Sequence, residues 1–121
     1  MPRPSPADFA KARIQNGFIV KDKQTAALAT ATQAAQAGTR HYVLQVDASY
    51  STSSTSGLLQ LKSGAALIAE KYIHGSGAFD FASEGLDAEN VNEAVSAELA
   101  SGGVGIIGTV TLMGFSVSEG S

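Results

Sequence analysis

The side chains that most often perform acid–base or nucleophilic chemistry are scarce in this chain of 121 residues, which has two histidines and no cysteine. Hydrolysis by a serine needs a nucleophile, a base and an orienting group. Serines are plentiful, but none lies in the glycine-flanked turn that presents a nucleophilic serine in hydrolases. His41 begins a predicted strand and His74 ends another, so we interpret both as polar residues at strand ends. The sequence therefore predicts no catalytic residue and no enzymatic activity.

One glycine-rich segment matches a dinucleotide-binding motif by its letters. Residues 103–108 read GVGIIG, which is the pattern G-x-G-x-x-G. In a dinucleotide fold these glycines join a strand to a helix, and the N-terminus of that helix holds the pyrophosphate. The residues that follow here, TVTL, are typical of a strand rather than of a helix. We interpret the segment as a turn and a bulge, and we expect no cofactor.

An acidic segment at residues 84–93 is the best candidate for a metal ligand set. Its carboxylates are Glu84, Asp87, Glu89 and Glu93, and two asparagines lie among them. Their order does not match the calcium loop, which needs oxygen ligands at fixed positions and a central glycine. With only two histidines, on different strands, a zinc site is less favoured still. We expect a solvated acidic loop and no metal, with a loose surface calcium site as the alternative.

Alternating apolar and polar residues predict that the chain is built from strands. The clearest case is residues 40–50, where one face carries Tyr42, Leu44, Val46, Ala48 and Tyr50. Residues 58–62 and 65–73 flank Ser63-Gly64 and predict a hairpin. Seven or eight such strands follow one another at spacings of roughly ten residues, separated by glycine-marked turns. The fold class expected is all-β, an antiparallel β-sandwich of seven or eight strands.

The last predicted strand, residues 106–117, is apolar on both faces. Val110 and Leu112 lie on one face, and Met113 and Phe115 lie on the other. A strand buried on both faces lies in the middle of a domain or at a subunit contact. We therefore expect a homo-oligomer, with a trimer favoured over a dimer. The predicted core consists of Leu44, Val46, Leu59, Leu61, Phe79, Phe81, Val95, Leu99, Val110 and Leu112.

Residues 1–16 differ from the rest of the chain and predict an extended arm ahead of a sandwich domain at residues 17–121. Three prolines near the start favour an extended chain over a helix. Residues 1–24 carry five basic and two acidic side chains, whereas the remainder carries three basic and nine acidic ones. A basic arm on an acidic body can dock on a neighbouring subunit, although a solvated tail is the alternative. The candidate partner-binding residues are Arg3, Phe9, Lys11, Arg13 and Ile14.

The overall charge and the apolar pattern exclude two kinds of partner. The formal net charge is −3, which argues against a broad basic face that binds nucleic acid. No apolar stretch reaches the length of a membrane helix, and the N-terminal residues lack the apolar core of a signal peptide. We expect no direct contact with nucleic acid and none with a membrane.

Three segments carry a resemblance to a known class of proteins. They are SGLLQLKSG at residues 56–64, YIHGSGAFDF at residues 72–81, and AVSAELASGGVGIIGTVTLMGFSV at residues 94–117. Together with the segments between them, spanning about residues 38–117, they resemble small virion proteins of tailed bacteriophages. The likeness is greatest to the jelly-roll decoration or cement proteins of the capsid.

This resemblance implies a jelly roll that binds and stabilises the phage capsid lattice as a symmetric oligomer. The implied partner is the major capsid protein, and the implied location is the capsid surface of the virion, after synthesis in the host cytoplasm. A second function stays open: a recognition module of the tail, neck or fibre that binds a host surface or another virion subunit. Such a module would use exposed aromatic residues in long loops, and the loops at residues 51–56 and 84–93 contain none.

Overall fold

The computed structural model describes residues 17–81, 86–87 and 93–118. Strands account for most of these residues, and no helix occurs in the described ranges. The strands are β1 (Gly17–Thr25), β2 (Ala29–Gln33), β3 (Thr39–Tyr50), β4 (Ser56–Ser63), β5 (Ala66–His74), β6 (Ser76–Asp80), β7 (Leu86–Asp87), β8 (Val95–Leu99) and β9 (Ile107–Ser118). The predicted arm at residues 1–16 and most of the acidic segment lie outside the described residues.

The strands form two antiparallel four-stranded sheets that pack face to face. One sheet has the order β1-β9-β3-β6 and is called here the β1 sheet; the other has the order β5-β4-β8-β2 and is called the β2 sheet. The two are continuous only at the β5–β6 corner, through the pair His74 and Ser76. The two-residue strand β7 adds to β3. This order is that of a jelly roll, so the predicted fold class is confirmed.

The core lies between the two sheets and follows the period-two alternation of the strands. In β8 the buried residues are Val95, Ala97 and Leu99, while the residues between them are only partly buried. Leu59 and Leu61 of β4 face Val110 and Leu112 of the other sheet, and all four are fully buried. Each such side chain contributes about 1.5–3 kcal/mol when it leaves water. The core therefore supplies most of the stability that holds the sheets together.

A β-bulge in β3 corrects part of the predicted pattern. The register of β3 against β9 shifts between Val43 and Gln45, so the inward alternation changes phase at Leu44. Val46, Ala48 and Tyr50 face the core as predicted, and Val43 joins them. Tyr42 and Leu44 belong instead to a second cluster that does not include the core residues. The prediction that all five alternating residues share one face was wrong because one residue is inserted into the ladder.

Seven of the ten predicted core residues are buried, and the other three are partly buried. Phe79 and Phe81 pack against the core with their rings stacked, 6.0 Å between centroids. Phe79 lies in the short outer strand β6 and Phe81 just after it, at a side where the sandwich is open. Leu44 is the residue of the bulge and packs in the second cluster.

Two polar contacts close the open sides of the sandwich. On one side, the Asp22 carboxylate of β1 accepts a hydrogen bond from the Thr30 backbone N–H of β2, at 2.8 Å. This bond is the main reason why the pKa of Asp22 is lowered from its ordinary value. On the other side, the Lys71 ammonium of β5 donates to the Ala78 carbonyl of β6 at 2.6 Å and lies 5.5 Å from the centre of the Phe79 ring. Both contacts join one sheet to the other.

Candidate functional site

His41 is fully buried, and its ring joins three parts of the structure. Its Nε2 lies 2.8 Å from the Ala34 carbonyl, which can only accept, so Nε2 carries the hydrogen. In the neutral ring, Nδ1 then accepts from the Ser116 hydroxyl, at 2.7 Å. The Phe18 ring packs edge-on against it, with centroids 5.7 Å apart. With both nitrogens engaged by protein groups, His41 is a structural link between β3, β9 and the segment after β2. Its position at a strand end was predicted, but its burial was not.

His74 makes a similar pair on the other sheet, but in solvent. Its Nδ1 lies 2.6 Å from the Ser56 hydroxyl, and the pair is exposed. The pair joins the start of β4 to the end of β5, whereas His41 lies near the start of β3 in the β1 sheet. The two histidines thus serve different sheets and do not form one constellation. Within the described ranges, no group of three His, Cys, Asp or Glu side chains could hold a metal ion.

The G-x-G-x-x-G segment forms the turn between β8 and β9. The Ile106 N–H donates to the Gly103 carbonyl at 3.1 Å, and Gly105 has a φ of 76°. That geometry is typical of a type II turn with glycine at its third position. Because β9 follows directly, the segment has no helix N-terminus to hold a phosphate, as interpreted from the sequence. Val104 lies at the tip of this turn and is 98% exposed.

A pocket of about 320 Å³ opens beside the buried histidine. It lies at the end of the sandwich where β1 and β3 begin and β9 ends. The residues that line it are Gly17, Phe18, Gln33, Gln36, Thr39, Ser116 and Ser118. None of these side chains is an acid or a base near neutral pH, and Ser116 is engaged by His41. The pocket therefore offers hydrogen-bonding groups, and one of them, the Ser116 hydroxyl, is bonded to the imidazole of His41.

The outer face of the β1 sheet carries a second apolar cluster. Tyr42 and Phe115 stack with centroids 5.3 Å apart and ring planes 12° apart, and both are fully buried. Leu44 and Val117 pack against them. One row further along the sheet, β1, β9 and β3 contribute Ile19, Met113 and Gln45, and Ile19 is 74% exposed. The aromatic pair is thus buried within the chain, whereas Ile19 on the edge strand is exposed.

The lysines and the aspartates of this outer face lie on different strands. Lys21 and Lys23 are exposed on β1, and Asp47 and Asp80 lie on β3 and β6. The paired positions run from Lys21 through Thr111 of β9 to Asp47. Because neighbouring strands are about 4.8 Å apart, the backbone of Lys21 is roughly 10 Å from that of Asp47. Strand β9 therefore lies between the two lysines and Asp47, which accepts a hydrogen bond from the Gln45 amide at 2.8 Å. Strand β3 also carries a basic residue, Arg40.

The outer face of the β2 sheet has a different arrangement, because its polar side chains bond to one another. Lys62 and Glu98 form an ion pair at 3.1 Å across β4 and β8. The Gln60 amide donates to the Glu70 carboxylate at 3.0 Å across β4 and β5. Tyr72 of the outer strand β5 is 79% exposed. This face has the ordinary features of a surface in contact with water.

The five residues predicted to bind a partner, Arg3, Phe9, Lys11, Arg13 and Ile14, all lie outside the described residues. The described chain begins at Gly17, which pairs with Phe115 at the edge of the β1 sheet. Sequence reasoning missed the arrangement of charges on that sheet. The alternation of Ile19, Lys21 and Lys23 was visible, but the pairing of β1 with β9 is set by tertiary structure and leaves no signal in one sequence. No helix in the described part of the chain is long and apolar enough to cross a membrane.

Comparisons with known proteins find similar shapes at low sequence identity. No protein-family model matches the chain, and no curated protein matches its sequence. The CBM36-1 domain of a multidomain xylanase from the hindgut metagenome of Trinervitermes trinervoides has a TM-score of 0.45 and 12% identity, over 82% of this chain and 95% of that one. A chain in the crystal structure of tomato aspermy virus has a TM-score of 0.37 and 7% identity, over 95% of this chain and 80% of that one.

Proposed function

We propose that this protein is a structural component of a bacteriophage virion that binds and stabilises the capsid lattice as a decoration protein. It acts by contacts with the major capsid protein and with copies of itself, and it performs no catalysis. The observation that carries the proposal is the jelly-roll order of the strands, which agrees with the fold that the sequence resemblance implies.

The chemistry of the described residues supports a binding role. His41 bonds to Ser116 and Ala34 through its two nitrogens and so links β3, β9 and the segment after β2. The glycine-rich segment is a turn that carries the chain from β8 in one sheet to β9 in the other, and the pocket beside His41 is lined by uncharged groups. The sequence resemblance to decoration proteins, over about residues 38–117, supplies the particular partner. A protein that binds only the expanded lattice stabilises that state by linkage.

Capsid binding can be tested with purified particles. The protein is mixed with empty mature capsids and with procapsids of a phage whose genome encodes it, and the bound protein is measured by co-sedimentation. We expect saturable binding to mature capsids and none to procapsids. Bound capsids should also resist heating better than bare ones. Equal binding to both particles, or to neither, would contradict the proposal.

The arm is proposed to strengthen this attachment in trans. Phe9 and Ile14 would supply apolar anchors, and Arg3, Lys11 and Arg13 would steer the encounter with an acidic surface. Deletion of residues 1–16 should leave the far-ultraviolet circular dichroism of the β-sandwich intact and weaken capsid binding or self-association. Arm charge reversals should mainly slow association and change its salt dependence. Unchanged affinity after the deletion would show that the arm is a solvated tail.

A recognition module of the tail, neck or fibre is the second candidate, and one observation favours it. Val104 protrudes from the β8–β9 turn with 98% of its side chain exposed, as a residue that inserts into a partner would. The substitution Val104→Asp should abolish binding to intact host cells if this tip is the recognition element. It should leave capsid binding unchanged if the protein attaches through the β1 sheet.

A further inference from the structure

We propose that the pocket beside His41 binds a neutral ligand with several hydroxyl groups, of the size of one sugar unit. The pocket volume of about 320 Å³ lies at the lower end of the range for small-molecule sites, which is about 300–1,000 Å³. Such a ligand would be a binding function in addition to the proposed capsid role, and it does not rest on that role.

The first argument is the direction of two hydroxyl protons in the pocket lining. The Ser116 hydroxyl donates its proton to Nδ1 of the buried His41, at 2.7 Å. The Thr39 hydroxyl donates to the Ala37 carbonyl, at 3.2 Å. A hydroxyl has one proton and two lone pairs, so both groups offer a ligand acceptors only. A ligand that binds to them must therefore donate hydrogen bonds.

The second argument is a pair of side-chain amides in the same lining. Gln33 ends β2, and Gln36 lies in the loop that follows. Within the described part of the chain, neither of these two side-chain amides has a protein partner. An amide donates from its nitrogen and accepts at its oxygen. A sugar hydroxyl also does both, so it can donate to a serine or threonine of the pocket and accept from a glutamine.

The third argument is the lack of charge among the described side chains that line the pocket. A phosphate or carboxylate would place its oxygens against the lone pairs of Ser116 and Thr39, with no cation there to compensate. A cation would find acceptors but no negative charge, and a charge that leaves water without a partner is costly. The lining therefore favours a neutral ligand. Phe18, which is half-buried, offers apolar contact to the C–H groups of a sugar ring.

Two hydrogen bonds hold the pocket in shape. His41 Nε2–H donates to the Ala34 carbonyl at 2.8 Å, and the Thr39 N–H donates to the Gln36 carbonyl at 3.1 Å. Both bonds fasten the loop after β2 to the start of β3. A site that is formed before its ligand arrives loses less conformational entropy on binding. His41 is therefore a positioning residue, because it holds both this loop and the Ser116 proton.

Sugar binding can be tested with the isotope-labelled full chain. D-glucose, D-galactose and N-acetyl-D-glucosamine are titrated in turn, and the amide chemical shifts are followed by NMR. At least one sugar should give saturable shifts centred on Phe18, Thr39 and Ser116, with a dissociation constant on the order of 1 mM. D-glucuronate should bind at least about 10-fold more weakly than that sugar. Shifts centred elsewhere, no saturable shift with any of the three sugars, or equal binding of glucuronate would overturn the proposal.

Substitutions in the pocket give a second readout. Gln36→Ala removes an exposed amide, and Thr39→Val removes an acceptor while it keeps the shape of the side chain. Each should raise the dissociation constant by about 3–10-fold. The matched controls are Gln60→Ala, on the outer face of the β2 sheet, and Thr109→Val, near the start of β9. Both controls should leave binding unchanged, and equal losses in pocket and control variants would contradict the site.

Fluorinated forms of the bound sugar test the direction of the hydrogen bonds. Fluorine is close to a hydroxyl in size but cannot donate. Replacement of a hydroxyl that donates to the pocket should weaken binding by about 10-fold. In Thr39→Val, one of these losses should disappear, because its acceptor is gone. If every monofluorinated form binds as tightly as the parent sugar, the pocket does not act as an acceptor and the proposal fails.

The outcomes also separate this proposal from the proposed function. A protein that binds a sugar but no capsid supports the pocket and overturns the capsid role, and one that binds mature capsids but no sugar does the reverse. Sugar binding that requires deletion of residues 1–16 would overturn the site in the full chain.

Discussion

The outer faces of the two sheets are built from similar residue types but arranged differently. On the β2 sheet, Lys62 bonds to Glu98 and Gln60 bonds to Glu70, so polar groups find partners on the same face. On the β1 sheet, Gln45 likewise bonds to Asp47, but the outer face also holds a stacked aromatic pair that is fully buried. The comparison teaches that the two outer faces differ in the burial of their aromatic side chains more than in their polar contacts.

The same contrast is repeated by the two histidines. His41 and Ser116 join neighbouring strands of the β1 sheet out of contact with water. His74 and Ser56 join neighbouring strands of the β2 sheet in solvent. A polar pair in the interior must satisfy its own hydrogen bonds, whereas water can replace either partner at the surface. Substitutions at matched positions can therefore test whether the two sheets differ as described.

The largest expected effect concerns the aromatic residues of the two outer faces. Phe115→Ala should lower the free energy of unfolding by about 3–5 kcal/mol, because it removes a fully buried ring that stacks on Tyr42. Tyr72→Ala on the β2 sheet should change it by about 0.5 kcal/mol or less, because that ring is mostly exposed. Urea unfolding followed by circular dichroism measures both. Equal losses of unfolding free energy in the two variants would contradict the difference in burial between the two outer faces.

An intermediate effect is expected at the two serines that bond to histidine. Ser116→Ala should cost about 1–3 kcal/mol, since it leaves Nδ1 of the buried His41 without its donor. Ser56→Ala should be close to neutral, because water can bond to the exposed His74. Thermal unfolding of the two variants at one pH gives the comparison. A neutral Ser116→Ala would mean that the buried pair is not a structural link.

A smaller effect is expected at the ion pair of the β2 sheet. The Lys62 and Glu98 side chains are both partly exposed, and pairs of this kind contribute about 0.2–1 kcal/mol. A double-mutant cycle with Lys62→Ala and Glu98→Ala should give a coupling energy in that range, and it should fall as salt is added. A much larger coupling would show that this face is more than a solvent surface.

The smallest expected effect is a pH dependence at the contact that joins the two sheets. The Thr30 N–H stabilises the charged form of Asp22 and lowers its pKa below the ordinary value of 3.8. A lowered pKa contributes stability above the unfolded-state value, and that contribution is lost as pH falls through the folded-state value. Below about pH 4, the free energy of unfolding should therefore fall more steeply with decreasing pH in the wild type than in Asp22→Asn. The same slope in both proteins would contradict the role of this bond.

Much of the fold could be predicted from the sequence, because alternation identifies strands and their inward faces. Val110 and Leu112 were placed correctly against Met113 and Phe115 on the last strand. The phase error at Leu44 could not be foreseen, since a bulge depends on the partner strand. His41 was interpreted as a polar residue at a strand end because its partners leave no local signal. Ser116 is distant in the sequence, and Ala34 lies in the loop after β2. The arrangement of charges on the β1 sheet depends on strand order, which a single sequence does not specify.

The position of β9 in the sheet has a consequence for how the chain is made. This strand comes after all the others in the sequence, yet it lies between β1 and β3 and supplies the neighbour of both. During synthesis, β1 (Gly17–Thr25) cannot pair with β9 until Ile107–Ser118 has left the ribosome. Pairing between such distant segments is slow. The β1 sheet is therefore completed last, and the buried pair of Tyr42 and Phe115 cannot form in an incomplete chain.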